Sequence, residues 1–507
     1  MSHASAEADP AIQEPPGAGD LDRSLVAGIA WTGAAKWSSQ ILSWLATLLV
    51  ARILLPGDFG LVGMGTVYLG LIQLINQFGL GAAILQQRDL QQQEIARLGG
   101  FSALLAACLF GASLLAAGPV AEFFNEPAVA PVIRVLSITF LTGALEVVPR
   151  TLLTRDLQFQ RLAVVDAFAA VTATVTTLGL ALVGMEYWAL VIGNVVGRLS
   201  SSAAVMWLRP HPLAWPWEFQ KLRGTLSFGA HVVFANVAFY AYRNADLAVV
   251  GRVLGKMALG VYDLGITIAS TPIDRLNELT SRVAPPVFAA VQHDASLLRR
   301  YFLGLTEGTA LISFPAAAGL ALVAHDLVLL ALGPRWEGAI VPLRILALAA
   351  AFRSIGPLLS LVLVYSGHPA RNTEYTVLAA VVLPPLFFVA SRWGVAGVAA
   401  VWLIAQPVLS IATAYRHAFR VMELSWTAYM RALWPAASAA AVMALVVTLF
   451  QIGAAHRLPV AARFAAEVVS GLVSYTAVLY LSHRARLQAF WSLLPRIRRS
   501  AVLVAPS

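Results

Sequence analysis

Three basic residues lie near the middle of long apolar segments, where a charged side chain needs compensation. Lys36, Arg198 and Arg353 each lack an acidic residue three or four positions away in the same segment. Charged residues at this depth in a bilayer are costly, and they usually face the protein interior and mark a substrate or ion pathway. Two interpretations fit: the three cations face a wet cavity or an anionic ligand, or they pair with acidic residues of other helices.

Two further groups combine acidic with basic residues inside apolar segments. Arg243 and Asp246 are three positions apart, so they share a helix face and form either a local ion pair or part of a site. The second group lines one helix face, with one arginine beside it. It consists of Asp274, Arg275, Glu278 and Arg282. This group is either a closed salt-bridge ladder or part of a path for a coupling ion.

Catalytic signatures are missing from the sequence. No HExxH, GxSxG, P-loop or dinucleotide-binding fingerprint occurs, which excludes ATP hydrolysis by this chain and predicts a protein that is not an enzyme. Cys108 is the only cysteine. A single cysteine excludes intramolecular disulfides and cysteine-based metal clusters. We therefore predict no catalytic residue, no metal site and no cofactor.

The composition identifies the elements that must position these charges. Of 507 residues, 59% are hydrophobic and only 12% are charged, and the mean hydropathy is +0.75. Soluble domains have about 25% charged residues, so this chain cannot cover a soluble surface. Apolar stretches of about 20 residues recur along it, and each is long enough to cross a bilayer. We predict an all-α polytopic membrane protein with about 14 transmembrane helices.

The apolar segments predict two six-helix lobes followed by a C-terminal helix pair. The predicted divisions are a disordered N-terminal tail (1–24), a first lobe (25–208), a linker (209–224), a second lobe (225–419), a helix pair (420–483) and a basic tail (484–507). No soluble domain fits between the helices.

A short motif occurs twice at a fixed offset. Arg52-Ile53-Leu54 is followed by Gly60, and Arg252-Val253-Leu254 is followed by Gly260. Both copies are 200 positions apart (252 minus 52, 260 minus 60), and six apolar segments separate them. An even number of crossings gives both copies the same orientation, as in the parallel internal repeats of transporters. We therefore predict a duplicated architecture.

Basic residues are concentrated in one set of alternate loops. That set includes Arg150, Arg155, Arg161, Arg209, Arg299 and Arg300, whereas the other set includes Arg52, Arg252, Lys256 and Arg335. The positive-inside rule makes the richer set cytoplasmic, so both termini are predicted to be cytoplasmic. This bias explains most of the net charge of +9, and it gives no reason to expect nucleic-acid binding.

The run from Ala51 to Leu90 closely resembles the polysaccharide flippases of the Wzx type, a branch of the multidrug, oligosaccharidyl-lipid and polysaccharide exporter superfamily. The matching residues are Ala51-Arg52, Leu55-Pro56, Asp58-Phe59-Gly60, Gly79-Leu80, Ala82-Ala83 and Gln86. The second half also resembles this family. Its matching residues are Asn244-Ala245-Asp246, Val250 to Gly255, Leu259-Gly260-Val261-Tyr262 and Pro285. Asp263 and the charged group between Asp274 and Arg282 depart from the family pattern.

The resemblance implies two six-helix lobes around a central cavity in a bacterial inner membrane. It implies that an oligosaccharide linked to undecaprenyl diphosphate moves from the cytoplasmic to the periplasmic leaflet, for synthesis of an exopolysaccharide, capsule or O-antigen. Lys36, Arg198 and Arg353 suit the diphosphate. The coupling ion would be H⁺ or Na⁺. A polysaccharide polymerase and export machinery are further partners that the resemblance implies.

Three competing functions remain open at this stage. A drug–cation antiporter or a peptidoglycan-precursor flippase of the same superfamily would share the fold. The antiporter would usually have acidic residues at the lobe centre, and the signature stretches of the precursor flippase are not evident. A membrane-embedded glycan polymerase or ligase would be an enzyme with a large periplasmic loop, and no predicted loop is large enough.

Overall fold

The computed structural model describes residues 47–77, 84, 91–215, 237, 239–453 and 458–484, and these form helices and turns without any β-strand. The helices of the first half are α1 Pro56–Gln77, α2 Gln92–Phe124, α3 Val129–Leu136, α4 Ile138–Arg155, α5 Phe159–Leu182 and α6 Glu186–Leu208. Those that follow are α7 Ala245–Val249, α8 Gly255–Ala290, α9 Ala295–Leu327, α10 Ile340–Tyr365, α11 Pro369–Ala390, α12 Gly394–Ser410, α13 Arg416–Val421, α14 Trp426–Gly453 and α15 Val460–Ser482.

Local sequence explains where several helices begin. Pro56 is the first residue of α1, and the carboxylate of Asp58 accepts a hydrogen bond from the backbone N–H of Leu55 at 2.9 Å. Proline suits the first helical position because its missing N–H would have no partner there. Asp294 caps α9 by accepting from the N–H groups of Leu297 (3.0 Å) and Ser296 (2.8 Å). The backbone N–H of Leu297, then the hydroxyl and the N–H of Ser296, lower the pKa of Asp294.

Three short stretches have π-helical hydrogen bonding: Val250–Leu254, Val328–Leu332 and Ile411–Tyr415. The first two are followed directly by Gly255 and Gly333, whose φ angles are 83° and 93°. A residue with a side chain would be strained in this left-handed region, so glycine allows the chain to turn directly into the next helix.

Ten helical stretches in the described part of the chain are long and apolar enough to cross a membrane. One of them, Pro369–Val421, contains two predicted spans. The 36-residue helix α8 is not among the ten, and its row of charged residues explains why. The all-α, multi-pass membrane class is therefore confirmed. The number fourteen stays a prediction, because residues 1–46 and 216–236, which contain most of the first predicted span and about half of the seventh, lie outside the described residues.

The predicted tails are also largely outside the described residues, so the divisions of the chain remain predictions. Within the described part, the largest buried apolar cluster joins helices from both halves and includes Met64, Val132, Tyr262 and Trp336. A second cluster, which includes Phe302, Phe419 and Tyr429, packs α9 and α10 against the helices that follow α12. Apolar packing therefore connects the helices of both halves that carry the charged residues.

Candidate functional site

Helices α1 and α8 cross where the two copies of the repeated motif meet. A Cβ atom on Gly60 would lie 1.8 Å from the carbonyl oxygen of Lys256, and one on Gly260 would lie 1.7 Å from the carbonyl oxygen of Pro56. The two contacts are related by the offset of 200 residues (256 minus 56, 260 minus 60). Only glycine allows the backbones to approach this closely. We call these four residues the glycine crossing.

Hydrogen bonds between the halves flank the glycine crossing in both directions. Arg52 donates to the carbonyl of Leu330, and Arg252 donates to the carbonyl of Glu122, both at 3.4 Å. Each arginine belongs to one copy of the motif and reaches the other half of the chain. The halves are thus joined at this end by reciprocal contacts.

Two more contacts strengthen the same end. The indole N–H of Trp336 donates to the carbonyl of Ala51 at 2.7 Å, and Lys256 forms a salt bridge of 3.1 Å with Glu126. Trp336 is fully buried and packs edge-on against Phe59, with ring centroids 5.2 Å apart. The glycine crossing is therefore sealed by apolar, polar and ionic contacts.

Asp246 is a buried hydrogen-bond acceptor in the interior of the second half. Its side chain is 0% exposed. One oxygen accepts from the hydroxyl of Tyr262 and the indole N–H of Trp402, each at 2.7 Å, and the other accepts from the N–H of Leu247 at 2.9 Å. Three donors therefore stabilise this carboxylate, and two of them come from helices α8 and α12.

Arg353 lies beside this network on α10. Its guanidinium carbon is 5.6 Å from the centroid of the Trp402 ring, and one nitrogen donates to the Ser270 hydroxyl at 3.2 Å. The charge of Arg243 acts on Arg353 unfavourably, and the charges of Asp274 and Asp246 act on it favourably. We call Arg353, Ser270, Trp402, Asp246 and Asp274 the Arg353 cluster. Arg353 has no acidic neighbour in its own helix, as predicted, but other helices supply its compensation.

Arg243 and Asp246 do not form the ion pair that their spacing allowed. Arg243 is exposed, and its guanidinium carbon lies 5.8 Å from the Phe239 ring centroid. The chain leaves helical geometry at Asn244, which precedes the first residue of α7. Because the helix is interrupted there, positions 243 and 246 no longer share a face.

The charged residues of α8 separate into two groups. Glu278 accepts from Arg275 at 3.1 Å and from Arg282 at 2.7 Å, which is the salt-bridge ladder that the sequence allowed. Asp274 forms no salt bridge with another described residue, and its charge acts on Arg353. The ladder is partly exposed, so it contributes little to stability.

Of the other two predicted diphosphate-binding residues, the structure describes only Arg198. Lys36 lies outside the described residues. Arg198 is exposed on α6, as is Asn194 one helical turn before it. Within the described part of the chain, Arg198 has no hydrogen bond or salt bridge, and nothing joins it to the Arg353 cluster. The hypothesis that the three cations share one cavity therefore stays a prediction.

Hydropathy alone does not predict two charged clusters, because it ends the helices that carry them too early. Arg150 was assigned to a loop, but α4 continues to Arg155. Arg150 binds Glu146 and Asp166, each at 2.7 Å, and Ser201 donates to Glu146 at 2.9 Å. The i,i+4 spacing of Glu146 and Arg150 was the available signal. The second cluster surrounds Asp326 and Arg463. Hydropathy predicts that α9 ends at Leu322, but the helix continues to Leu327 and so includes Asp326.

Comparison with known proteins identifies the family. The profile of the family described as "Polysaccharide biosynthesis protein" matches residues 49–341, which is more than half of the chain. The chain therefore belongs to this family. It is 25% identical over 426 residues to the lipopolysaccharide biosynthesis protein WzxC of Escherichia coli K12, covering 82% of this chain and 85% of that protein. It is 22% identical over 470 residues to the succinoglycan biosynthesis transport protein ExoT of Rhizobium meliloti, covering 92% and 94%.

Solved structures show the same fold at low sequence identity. The lipid II flippase MurJ, in a conformation described as inward closed, has a TM-score of 0.73 at 12% identity, with 90% of this chain and all of that chain covered. A multidrug transporter of the MATE family, described as inward-facing, has a TM-score of 0.60 at 15% identity, with 75% and 94% covered. The chain thus has the fold of transporters of the MOP superfamily.

Proposed function

We propose that this chain, as a member of the polysaccharide biosynthesis family, translocates an oligosaccharide linked to undecaprenyl diphosphate across a bacterial inner membrane. The cargo moves from the cytoplasmic to the periplasmic leaflet by alternating access. The membrane gradient of H⁺ or Na⁺ supplies the energy. The product serves surface polysaccharide synthesis, where a polymerase and export machinery receive it.

The Arg353 cluster is the observation on which this proposal rests. Arg353 is half-buried in the middle of α10, and it contacts the Ser270 hydroxyl and the Trp402 ring without forming a direct salt bridge to a described residue. A guanidinium with unused donors binds a phosphate group through paired hydrogen bonds. A cargo diphosphate would replace weak neutral partners with strong charged ones, without breaking a salt bridge.

The glycine crossing supports an alternating mechanism. It joins both halves at one end of the bundle, and the positive-inside rule places Arg52 and Arg252 on the periplasmic side. In this orientation the contacts close the periplasmic end, and both chain termini are cytoplasmic. Opening this end would release the cargo to the outer leaflet, so the crossing acts as a gate in the proposed cycle.

Neutralising the three proposed diphosphate-binding residues tests the function. A variant with Lys36, Arg198 and Arg353 replaced by glutamine should insert at wild-type level but lose surface polysaccharide. Lipid-linked oligosaccharide should accumulate on the cytoplasmic leaflet. The matched control for each single replacement is Arg282→Gln, which removes one positive charge from a side chain that is 68% exposed. Normal polysaccharide from the triple variant at normal abundance would refute the cationic site.

A further inference from the structure

The C-terminal helices α14 and α15 pack against α9 through an apolar seam. Met443 of α14 and Tyr475 of α15 are buried there, and the Tyr475 hydroxyl donates to the carbonyl of Leu311 at 2.7 Å. Toward the end of α14 and the beginning of α15, the apolar seam gives way to buried charged residues. These residues lie outside the Arg353 cluster and have no role in the proposed cargo site.

One charge of this group is fully compensated. Asp326 of α9 is 3% exposed, and both of its oxygens accept hydrogen bonds from the guanidinium of Arg463 on α15. The ring of His325 also contacts Asp326 at 2.8 Å. Paired hydrogen bonds of this kind are the strongest arrangement for an arginine and a carboxylate. The positive charge of Arg463 is therefore committed to Asp326.

Glu467, one turn further along α15, has no such partner among the described residues. It is 2% exposed. Its Oε1 accepts from the side-chain amide of Gln451 at 3.0 Å, and the same nitrogen donates to the carbonyl of Leu322 at 3.2 Å. Its Oε2 is buried and has no hydrogen-bond partner among the described residues. A single neutral amide therefore serves a carboxyl group that is otherwise enclosed.

An ionised Glu467 would leave one negative charge uncompensated inside the helix packing. Burying a lone carboxylate is strongly unfavourable unless a cation or several donors accompany it. Among the described residues, the groups that face Glu467 are Arg463 and Asp326, which neutralise each other, His325 at the rim, and the neutral amide of Gln451 on α14. None of these groups donates to Oε2, which leaves that oxygen open to a proton from solution.

We propose that Glu467 is a proton-binding site that stabilises the packing of α14 and α15 on α9. A proton taken from water binds Oε2, gives a neutral carboxylic acid, and returns to water when the helix pair loosens. A metal ion fits less well, because it needs several oxygen ligands. Among the described residues, both oxygens of Asp326 are bound to Arg463 and the Leu322 carbonyl is bound to Gln451, so Glu467 Oε2 is the one oxygen of this group without a hydrogen-bond partner.

Infrared spectroscopy tests the proton directly in the full-length protein in lipid nanodiscs. A protonated carboxylic acid has a carbonyl-stretch band that shifts in D₂O. We expect this band at neutral pH in the wild type and its loss in Glu467→Gln. The control Glu374→Gln changes a glutamate that is 47% exposed and bound to Arg371, and it should keep the band. A wild-type spectrum without the band would overturn the proposal, as would a band that survives in Glu467→Gln.

Two measurements keep the test decisive. Isotope labelling of glutamate assigns the band in the wild type, so the result does not depend on the folding of a variant. Melting temperatures between about pH 5 and about pH 9 then separate a proton from a metal ion. The wild type should lose stability as the pH rises, and Glu467→Gln should lose this dependence. Stabilisation by NaCl over choline chloride at fixed pH, absent from Glu467→Gln, would identify Na⁺ and refute the proton site.

Discussion

Replacing Gly260 with alanine should open the end of the bundle that the glycine crossing closes. The added Cβ would lie 1.7 Å from the carbonyl oxygen of Pro56, whereas real Cβ contacts stay beyond 3.0 Å. Helices α1 and α8 must therefore separate by at least 1.3 Å (3.0 minus 1.7). Overpacking of this kind costs about 1–3 kcal/mol, which shifts a two-state equilibrium by about 5- to 150-fold.

Distances between spin labels measure this opening. Labels at Leu55 and Val253, which are 49% and 44% exposed, report on both sides of the crossing once the single exposed cysteine, Cys108, has been replaced by serine. The wild type should give one short distance, and Gly260→Ala should populate a longer one. Polysaccharide export should fall in the same variant, because the closed state is needed in each cycle of the proposed mechanism.

The repeat supplies a second arm, and an uncrowded glycine supplies the control. Gly60→Ala meets the carbonyl of Lys256 at 1.8 Å, so it should give the same long distance. The double variant should not double the effect, since both changes separate the same pair of helices at the same crossing. A Cβ on Gly111 has no atom within 4 Å, so Gly111→Ala should behave as wild type. Wild-type distances in both crossing variants would refute the role of the crossing as a gate.

Three further predictions concern single charged residues. Asp246→Asn should lower the melting temperature, because hydrogen bonds to a charged group contribute about 1.5–3 kcal/mol. An unchanged melting temperature would contradict the role of Asp246 as the acceptor for three hydrogen-bond donors. Arg243→Gln should keep normal abundance by immunoblotting, since Arg243 does not pair with Asp246. Asp294→Ala should lower stability at neutral pH but not in acid. The pKa of Asp294 is lowered in the folded chain, so its contribution is present above the ordinary Asp value of about 3.9 and disappears as the pH falls through the folded value. A difference from wild type that persists in strong acid would rule out the cap.

The repeated motif was visible in the sequence, but its contact was not. The offset of 200 residues predicted two equivalent helix connections. It did not predict that Gly60 and Gly260 would touch across a helix crossing, because periodicity within a helix does not specify which helices meet. The crossing depends on carbonyl oxygens of Pro56 and Lys256, and a backbone atom leaves no trace in residue type.

The charged residues show the same limit. Glu278 and Arg282 pair within one helix, so their i,i+4 spacing was sufficient to predict the ladder. The partners of Arg353 come from α7, α8 and α12, which no spacing within α10 could specify. The clusters at Arg150 and Asp326 are not predicted from the sequence, because hydropathy alone ends α4 and α9 before these residues, whereas both helices continue past them.

The reciprocal arginine contacts place an unusual demand on the evolution of this chain. Arg52 and Arg252 bind carbonyl oxygens, so the side chains of Leu330 and Glu122 are free to vary without loss of these bonds. Chain length has no such freedom. Leu330 and Arg252 both lie in π-helical turns, and deleting one residue there would rotate the following group by about 100° around the helix axis. Homologues should therefore tolerate substitutions at these turns and reject insertions and deletions.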